Sequence, residues 1–297
     1  MTLDRIKGAL FGHAIGDALG GTTEFMTEKE VQEKFGRVST FLGGGKWRLK
    51  PGETTDDTAM TLALARGIIS NPEDPVQEIA DQFINWLNSE PKDIGMRIHY
   101  ALSYLKNGEK IENAAEFAQH DLGGSGEGNG SLMRCLPISL YCIEEEKVAA
   151  ISEAQSQITH ASDVASEACV LYNLVGYDIM CKGIPLKEAL TERITGTRYE
   201  QSLYKVPDVY PTKNVVHTFS WVIYVLMQSD SYLEVVQTLA NKGNDADTTA
   251  AIAGGLSGLD AGYRKLPQSM AEQLLKREEI NIIAGELLKI RTASETA

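Results

Sequence analysis

The chain has 297 residues, of which 43% are hydrophobic and 23% are charged, so it is long enough to bury a large core in one domain or two. It carries 28 basic and 41 acidic residues, a net charge of −13, and no basic run stands out. This balance argues against nucleic acids and anionic membrane surfaces as partners.

The cysteines and the first helix pattern indicate an intracellular protein. The four cysteines form no Cys-x-x-Cys pair and no disulfide-like framework, which indicates reduced thiols and argues against a zinc site. The pattern from Leu3 to Gly20 contains Asp4, Lys7 and Asp17 among its ionisable side chains, so it is neither a signal peptide nor a membrane span. We expect a cytoplasmic monomer that binds no membrane.

In chain order, the first element is a helix from Leu3 to Leu19. Its glycines recur at every fourth position, as Gly8, Gly12, Gly16 and Gly20. This spacing places the glycines on one stripe of the helix, where another backbone can approach closely. Each glycine in a helix interior lowers stability by up to ~1 kcal/mol, so the stripe indicates close packing against another element. A second stripe is formed by Gly254, Gly258 and Gly262. We therefore expect these two helices to form a buried pair.

Helical periodicity continues along the rest of the chain, and strand signals are nearly absent. The further predicted helices are Thr58–Ile69, Val76–Leu87, Ile94–Leu105, Ile138–Glu145, Val148–Ile158, Ser162–Cys181, Leu186–Ile194, Val215–Met227, Thr248–Leu259, Ser269–Lys276 and Ile280–Ile290. Glycine-rich or irregular segments lie at 35–51, 122–131 and 196–213. We predict an all-α protein with a single domain over residues 1–297 and an ordered core of about 3–291.

Two clusters of oxygen-bearing side chains precede helices near opposite ends of the chain. They are Thr54-Thr55-Asp56-Asp57-Thr58 and Asn244-Asp245-Ala246-Asp247-Thr248-Thr249. Each cluster alone is typical of helix N-caps, which accept hydrogen bonds from the first turn. Two such clusters brought together repel each other unless cations neutralise them. Oxygen ligands alone then indicate Mg²⁺, Mn²⁺ or Ca²⁺ and not zinc.

A glycine-rich loop from Leu122 to Ser131 leads into Leu132-Met133-Arg134, where we predict the start of a helix. Such a segment exposes several backbone N–H groups in one place, and a helix dipole adds positive potential, so the loop suits a phosphate. The spacing matches neither the P-loop nor the dinucleotide fingerprint. A flexible loop without a ligand is the alternative.

Three single residues near these segments are candidates for the same site, and each has a local alternative. Glu24 follows the first helix and is either a site carboxylate or a surface residue. Asp93 precedes a helix, which on local grounds favours an N-cap. His160 lies between two helices, where it either contacts a ligand or caps a helix end.

Taken in order, these segments resemble the ADP-ribosylglycohydrolase family over nearly the whole chain. The motifs are Gly16-Asp17-Ala18-Leu19-Gly20 with Glu24, Thr54 to Met60, Gly126 to Arg134, Thr159-His160, Val216-His217-Thr218 and Asp245 to Thr248. Each motif alone is weak, but the ordered set is specific. The segments most similar to the branch that contains the dinitrogenase-reductase-activating glycohydrolases, which remove ADP-ribose from arginine, are Gly43 to Trp47, Lys50-Pro51-Gly52 and Lys92-Asp93-Ile94-Gly95.

The resemblance implies a compact all-α fold with two divalent cations, Mg²⁺ or Mn²⁺, at the bottom of an ADP-ribose cleft. The implied metal ligands are Thr55, Asp56, Asp57, Asp245, Asp247 and Thr248. The implied diphosphate-binding residues are Gly126, Gly128, Asn129, Gly130, Ser131, Leu132 and Met133, with His160 nearby. Asn244 departs from a glycine that many relatives have, but every implied ligand is retained.

The resemblance also implies a metal-dependent hydrolase that removes ADP-ribose from arginine side chains of proteins. Asp93 would be the acid–base group and Glu24 would orient water or a ribose hydroxyl, although these two roles could be exchanged. The alternatives are a hydrolase of serine-linked or other O-linked ADP-ribose, which differs at the leaving group, and a protein that binds ADP-ribose without catalysis. Retention of all six implied metal ligands argues against the last.

Overall fold

The computed structural model describes residues 2–296, and its regular structure is helical, as predicted. The α-helices are α1 (Thr2–Gly20), α2 (Glu28–Phe35), α3 (Asp56–Ser70), α4 (Val76–Asn88), α5 (Met96–Lys106), α6 (Ile111–Leu122), α7 (Pro137–Tyr141), α8 (Glu145–Gln157), α9 (Asp163–Tyr177), α10 (Leu186–Ile194), α11 (Val215–Gln228), α12 (Tyr232–Ala240), α13 (Ala246–Ala261), α14 (Gln268–Gln273) and α15 (Arg277–Thr296). A π-helix (Asp178–Lys182) follows α9. Extended pairing over residues 2–296 is limited to three isolated β-bridges.

The centre of the fold is the pair formed by α1 and α13, and both helices are buried over most of their length. A Cβ atom added to Gly16 would lie 2.1 Å from the Ala250 carbonyl oxygen, and one added to Gly8 would lie 2.2 Å from that of Gly258. The two backbones are therefore in direct contact, which only glycine permits at these positions. The predicted helix pair is confirmed, although Gly262 lies just beyond α13.

This contact fixes where the helix ends lie. The end of α1 at Gly20 lies against Ala246, the first residue of α13, since a Cβ atom on Gly20 would be 2.4 Å from the Ala246 carbonyl oxygen. Asp17, one turn earlier in α1, bonds to Thr55 and Thr58 at the start of α3. The two acidic clusters of the sequence are thereby brought to one place.

The structure differs from the prediction in two ways: it contains helices that were not predicted, and one predicted helix begins later. Three helices have no counterpart in the prediction, namely α2, α6 and α12. Of these, α2 is short and polar with Val31 as its buried residue, so few apolar residues mark it in the sequence, and a capping box between Thr27 and Glu30 starts it. The helix predicted from Leu132 begins instead at Pro137, because the N–H groups of Leu132 and Met133 donate to the Asn129 carbonyl oxygen in a turn. Within the described residues, no helix has both the length and the hydropathy needed to cross a membrane.

Candidate active site

A cavity of about 210 Å³ lies beside the starts of α3 and α13. Part of its lining consists of the carboxylates of Glu24, Asp56, Asp93, Asp245 and Asp247, which we call the acidic end. A second part, which we call the loop end, consists of Gly128, Asn129, Gly130, Met133 and His160, and Asn129 joins the two by donating to Asp245. Both acidic clusters and the glycine-rich loop therefore reach one cavity, although they are far apart in the sequence.

The first acidic cluster is held in place by a carboxylate from α1. Thr55, the N-cap residue of α3, donates its backbone N–H and its hydroxyl to Asp17 Oδ1, each at 2.9 Å. Thr58 donates its N–H at 3.0 Å and its hydroxyl at 2.5 Å to Asp17 Oδ2. The fully buried Asp17 thus satisfies the N-terminal turn of α3. The side chains of Asp56 and Asp57 are left available for other ligands.

The second acidic cluster is joined to the glycine-rich loop. Asp245 is the N-cap residue of α13, but its side chain makes no capping hydrogen bond. Its Oδ2 instead accepts a hydrogen bond from Asn129, whose amide also donates to Thr218 at 2.8 Å. Single carboxylate oxygens of Glu24, Asp245 and Asp247 lie within 4.8 Å of one another. This spacing is short enough for the three groups to face one cation.

The carboxylates at this end have too few partners within the protein. Asp57 Oδ1, Asp93 Oδ2 and Asp247 Oδ1 are buried without a hydrogen-bond partner in the described chain. Burial, followed by the charges of neighbouring carboxylates, raises the pKa of Asp57 and Asp247 well above the usual range. The hydroxyls of Thr55 and Thr248 lie 3.3 Å from Asp57 Oδ2. This set of buried carboxylate and hydroxyl oxygens fits hard divalent cations.

Asp93 does not cap a helix, so the interpretation from its local sequence is wrong. The N-cap residue of α5 is Gly95, and Asp93 is 8% exposed at the cavity wall. Burial, followed by the charges of Glu24 and Asp17, raises the pKa of Asp93 to about 7. A carboxyl group with such a pKa can donate or accept a proton near neutral pH.

Glu24 is buried and held by a side chain from a tight turn. Trp47 Nε1 donates to Glu24 Oε2 at 2.6 Å, and Lys213 Nζ lies 3.4 Å from Glu24 Oε1. The turn that carries Trp47 is closed by two backbone hydrogen bonds between Gly44 and Leu49, of 2.7 and 2.8 Å. The interpretation of Glu24 as an ordinary surface residue is therefore wrong.

The glycine-rich loop lies directly against His160. A Cβ atom on Gly128 would be 2.9 Å from His160 Nε2, and one on Gly130 would be 2.8 Å from Ile98 Cδ1. His160 is buried, with its Nδ1 2.8 Å from the Thr159 hydroxyl, and burial lowers its pKa well below the ordinary value. A neutral His160 therefore forms part of the cavity wall at the loop end.

Three residues of the implied diphosphate loop do not line the cavity. Ser131 is fully buried, and its hydroxyl accepts a hydrogen bond from Ser156 at 2.8 Å. Leu132 belongs to the hydrophobic core, and Gly126 packs against Gln119, whose Oε1 would be 2.5 Å from an added Cβ atom. Binding of a diphosphate by any residue of this loop stays a prediction.

The cavity has a positive as well as a negative end. Arg97 lines it beside the glycine-rich loop, and Nη2 of this residue donates to the Gly123 carbonyl oxygen at 3.3 Å. Arg134 is fully buried behind the loop, where it donates to Gln155. After burial, the charges of Arg134 and Arg97 also lower the pKa of His160, so their field reaches the loop. Two guanidinium groups thus supply the positive potential that we expected from a helix dipole.

Comparison with known proteins identifies the family. The sequence profile of the ADP-ribosylglycohydrolase family matches residues 1–296. The chain belongs to this family. Over 282 residues it is 32% identical to the ADP-ribosyl-[dinitrogen reductase] glycohydrolase of Rhodospirillum rubrum, which covers 94% of this chain and 93% of that protein. Over 305 residues it is 28% identical to the ADP-ribosylarginine hydrolase Tri1 of Serratia proteamaculans, which covers 96% of this chain and 79% of that protein.

The fold agrees with the family assignment. A solved structure described as an ADP-ribosylglycohydrolase-related protein complex superposes with a TM-score of 0.83 at 26% identity, covering 98% of this chain and 99% of the other. The resemblance inferred from the ordered motifs is therefore confirmed. As a member of the family, the protein is an ADP-ribosyl glycohydrolase, a hydrolase.

Several residues of this ADP-ribosylglycohydrolase site were given no role by the sequence argument. Asp17 and Trp47 lie in motifs of the family, but their hydrogen bonds link segments whose proximity only the fold shows. Arg134 ends the motif that begins at Gly126, and Arg97 follows Asp93 by four residues, but an arginine without a carboxylate partner has no sequence signature. The best available signal was at Asp17, a carboxylate within a stripe of small residues, which is an unusual place for a charge.

Proposed function

We propose that this protein hydrolyses the N-glycosidic bond between ADP-ribose and arginine side chains of proteins. The observation that carries the proposal is the two-ended cavity, with carboxylates at one end and a glycine-rich loop beside Arg97 at the other. ADP-ribose has a diphosphate that suits the second end and a ribose whose hydroxyls suit a cation at the first. The names of the Rhodospirillum rubrum and Serratia proteamaculans relatives support the arginine linkage.

The activity that we propose depends on two divalent cations, Mg²⁺ or Mn²⁺. The residues that would hold them are Thr55, Asp56, Asp57, Asp245, Asp247 and Thr248. Their fit is supported by the unpartnered carboxylate oxygens and the neighbouring hydroxyls. When bound, such cations neutralise the carboxylates, orient ribose hydroxyls and increase the acidity of an oxygen ligand.

Two carboxyl groups of the chain would orient the attacking water and transfer a proton to the leaving nitrogen. Hydrolysis breaks the bond between the anomeric carbon and the guanidino nitrogen, joins the water oxygen to that carbon and delivers a proton to the nitrogen. We assign the proton transfer to Asp93, whose buried Oδ2 has no other partner at the cavity, and the orientation of water or a ribose hydroxyl to Glu24. A substrate with a leaving group that needs no proton should rescue Asp93→Asn but not Glu24→Gln, and the opposite result would exchange the roles.

The test of the proposed function is release of free ADP-ribose from proteins modified at arginine and, in parallel, at serine. Each substrate is incubated with Mg²⁺, with Mn²⁺ and after chelation. We expect metal-dependent release from the arginine-linked protein alone. Release from the serine-linked protein alone would overturn the arginine assignment, and release after complete chelation would overturn the metal requirement. Binding of ADP-ribose with no release from either substrate would contradict catalysis.

A further inference from the structure

Arg97 is a cationic side chain at the cavity whose hydrogen-bonding capacity is mostly unused. It lies in the first turn of α5, and its Nη1 is buried without a hydrogen-bond partner. Its one hydrogen bond to the described chain is the 3.3 Å contact from Nη2 to the Gly123 carbonyl oxygen, which is long. A guanidinium group has five N–H donors in a fixed plane, and the described chain supplies an acceptor for one of them.

Arg97 also lacks a counter-ion, although acidic residues exceed basic residues by 13 in this chain. Arg193 shows the usual arrangement, since it pairs with Asp178 and Glu145 at 2.6 and 2.7 Å. No carboxylate of residues 2–296 forms a salt bridge with Arg97 or with the buried Arg134. Burial lowers the pKa of Arg97, but a guanidinium stays protonated because its ordinary pKa is above 12. An unpaired charge beside a cavity is stabilised when a ligand supplies the anion.

The backbone next to Arg97 offers further donors for an anion. Gly130 lines the same cavity, and its N–H group, like that of Ser131, donates to no acceptor in the described part of the chain. Gly124, which follows the Gly123 acceptor of Arg97, has a φ of 83°, a conformation that favours glycine, and a Cβ atom added there would lie 4.0 Å from Arg97 Nη2. Backbone N–H donors close to a guanidinium group are a common arrangement around phosphate.

We propose that Arg97 is a charged residue that binds the diphosphate of ADP-ribose, with N–H groups of its guanidinium donating to the phosphate oxygens beside the glycine-rich loop. This inference rests on the proposed function, because it takes ADP-ribose as the ligand. Arg134 adds positive potential from behind the loop without touching the ligand, since it is fully buried. The cavity thereby discriminates a diphosphate ligand from an uncharged nucleoside.

The test compares ligands with and without phosphate on matched variants. Dissociation constants for ADP-ribose and for adenosine are measured by calorimetry with wild type, Arg97→Gln, Arg97→Lys and the control Arg37→Gln. Arg37 is exposed and lies outside the cavity, with Gln237 as its hydrogen-bond partner. We expect Arg97→Gln to raise the dissociation constant for ADP-ribose by about tenfold or more and to leave that for adenosine unchanged. Arg97→Lys should recover part of the loss, because it keeps the charge but not the planar fork.

The salt dependence provides a second measurement. If Arg97 neutralises phosphate charge, the affinity for ADP-ribose should fall less steeply with added salt in Arg97→Gln than in wild type. Equal weakening of adenosine and ADP-ribose, or no change of either, would overturn the role of Arg97 and leave the proposed function intact. Failure of wild type to bind ADP-ribose at all would instead overturn the proposed function. An unchanged melting temperature shows that the loss does not come from unfolding.

Discussion

The two ends of the cavity are built in different ways. The carboxylates of the acidic end lie mainly at the ends of α1, α3 and α13, where backbone-to-backbone contacts such as Gly16 against Ala250 fix their positions. The loop end is held by hydrogen bonds, from the Asn129 amide and between the backbones of 127–129 and 213–215, such as Asn129 N–H to the Lys213 carbonyl oxygen at 3.0 Å. Like charges that repel one another need a rigid framework, whereas a loop that surrounds a ligand needs backbone donors and room. Because the two ends are held by different contacts, a substitution at one end should change a different property from a substitution at the other.

The largest effect is expected at a carboxylate of the acidic end. Asp247→Ala removes a proposed metal ligand and should lower turnover by roughly a thousandfold or abolish it, as expected when a group that stabilises developing charge is lost. The helical circular dichroism should stay that of wild type, and Mg²⁺ should no longer raise the melting temperature. The control is Asp230→Asn, which changes a carboxylate whose side chain is 94% exposed and should leave turnover unchanged. An active, metal-independent Asp247→Ala protein would remove the proposed metal site.

The next largest effect is expected at the contact between the backbones of α1 and α13. Gly16→Ala places a methyl group 2.1 Å from the Ala250 carbonyl oxygen, so the helix pair must separate, at a cost of about 3 kcal/mol in the free energy of unfolding. Gly285→Ala in α15 is the matched control, since an added Cβ atom there meets nothing within 4 Å and helix propensity favours alanine by ~1 kcal/mol. Denaturant unfolding measures both. Equal stabilities of the two variants would contradict direct backbone contact at the centre.

A smaller effect is expected at Glu24, which a side chain rather than a helix end holds in place. Trp47→Phe removes the 2.6 Å hydrogen bond to Glu24 Oε2 and should lower kcat by roughly tenfold or more, because the carboxylate loses its orientation. The affinity for ADP-ribose should change little, because Trp47 does not line the loop end. Trp86→Phe on α4 is the control for loss of an indole group. A fall in ADP-ribose affinity with an unchanged kcat would assign Trp47 to binding instead.

The smallest effect concerns carboxylates that have partners within the chain. Hydrogen bonds from Arg193 and then Lys182 lower the pKa of Glu145 from 4.5 to about 2. The unfolded chain therefore binds more protons in this pH window, and the stability that Glu145 contributes above pH 4.5 is lost as the pH falls toward 2. Its side chain is 36% exposed, so we expect less than about 1 kcal/mol. The difference in unfolding free energy between wild type and Glu145→Gln should shrink from pH 7 to pH 3, and a constant difference would contradict this assignment.

Much of the acidic end could be predicted from the sequence, because the glycine stripes and the Asp- and Thr-rich helix starts are local patterns with a physical meaning. The contacts that complete the cavity could not. The local sequence predicts Asp93 as a helix N-cap. The fold instead places its side chain at the cavity wall, and Gly95 is the N-cap residue of α5. Likewise, Arg134 was taken as the first turn of a helix, but a turn at Asn129 delays that helix to Pro137. Such positions depend on tertiary neighbours and not on the residues beside them.

The pairing of α1 with α13 has a consequence for how the protein is made. Helix α1 has a strip of backbone without side chains, and the residues that cover it, from Ala246 to Gly258, are synthesised more than 200 residues later. A contact between such distant segments forms late and slowly. The nascent chain must therefore keep α1 from aggregating until α13 has been synthesised. The acidic centre can form only after that, so a chain that stops before Ala246 should be inactive.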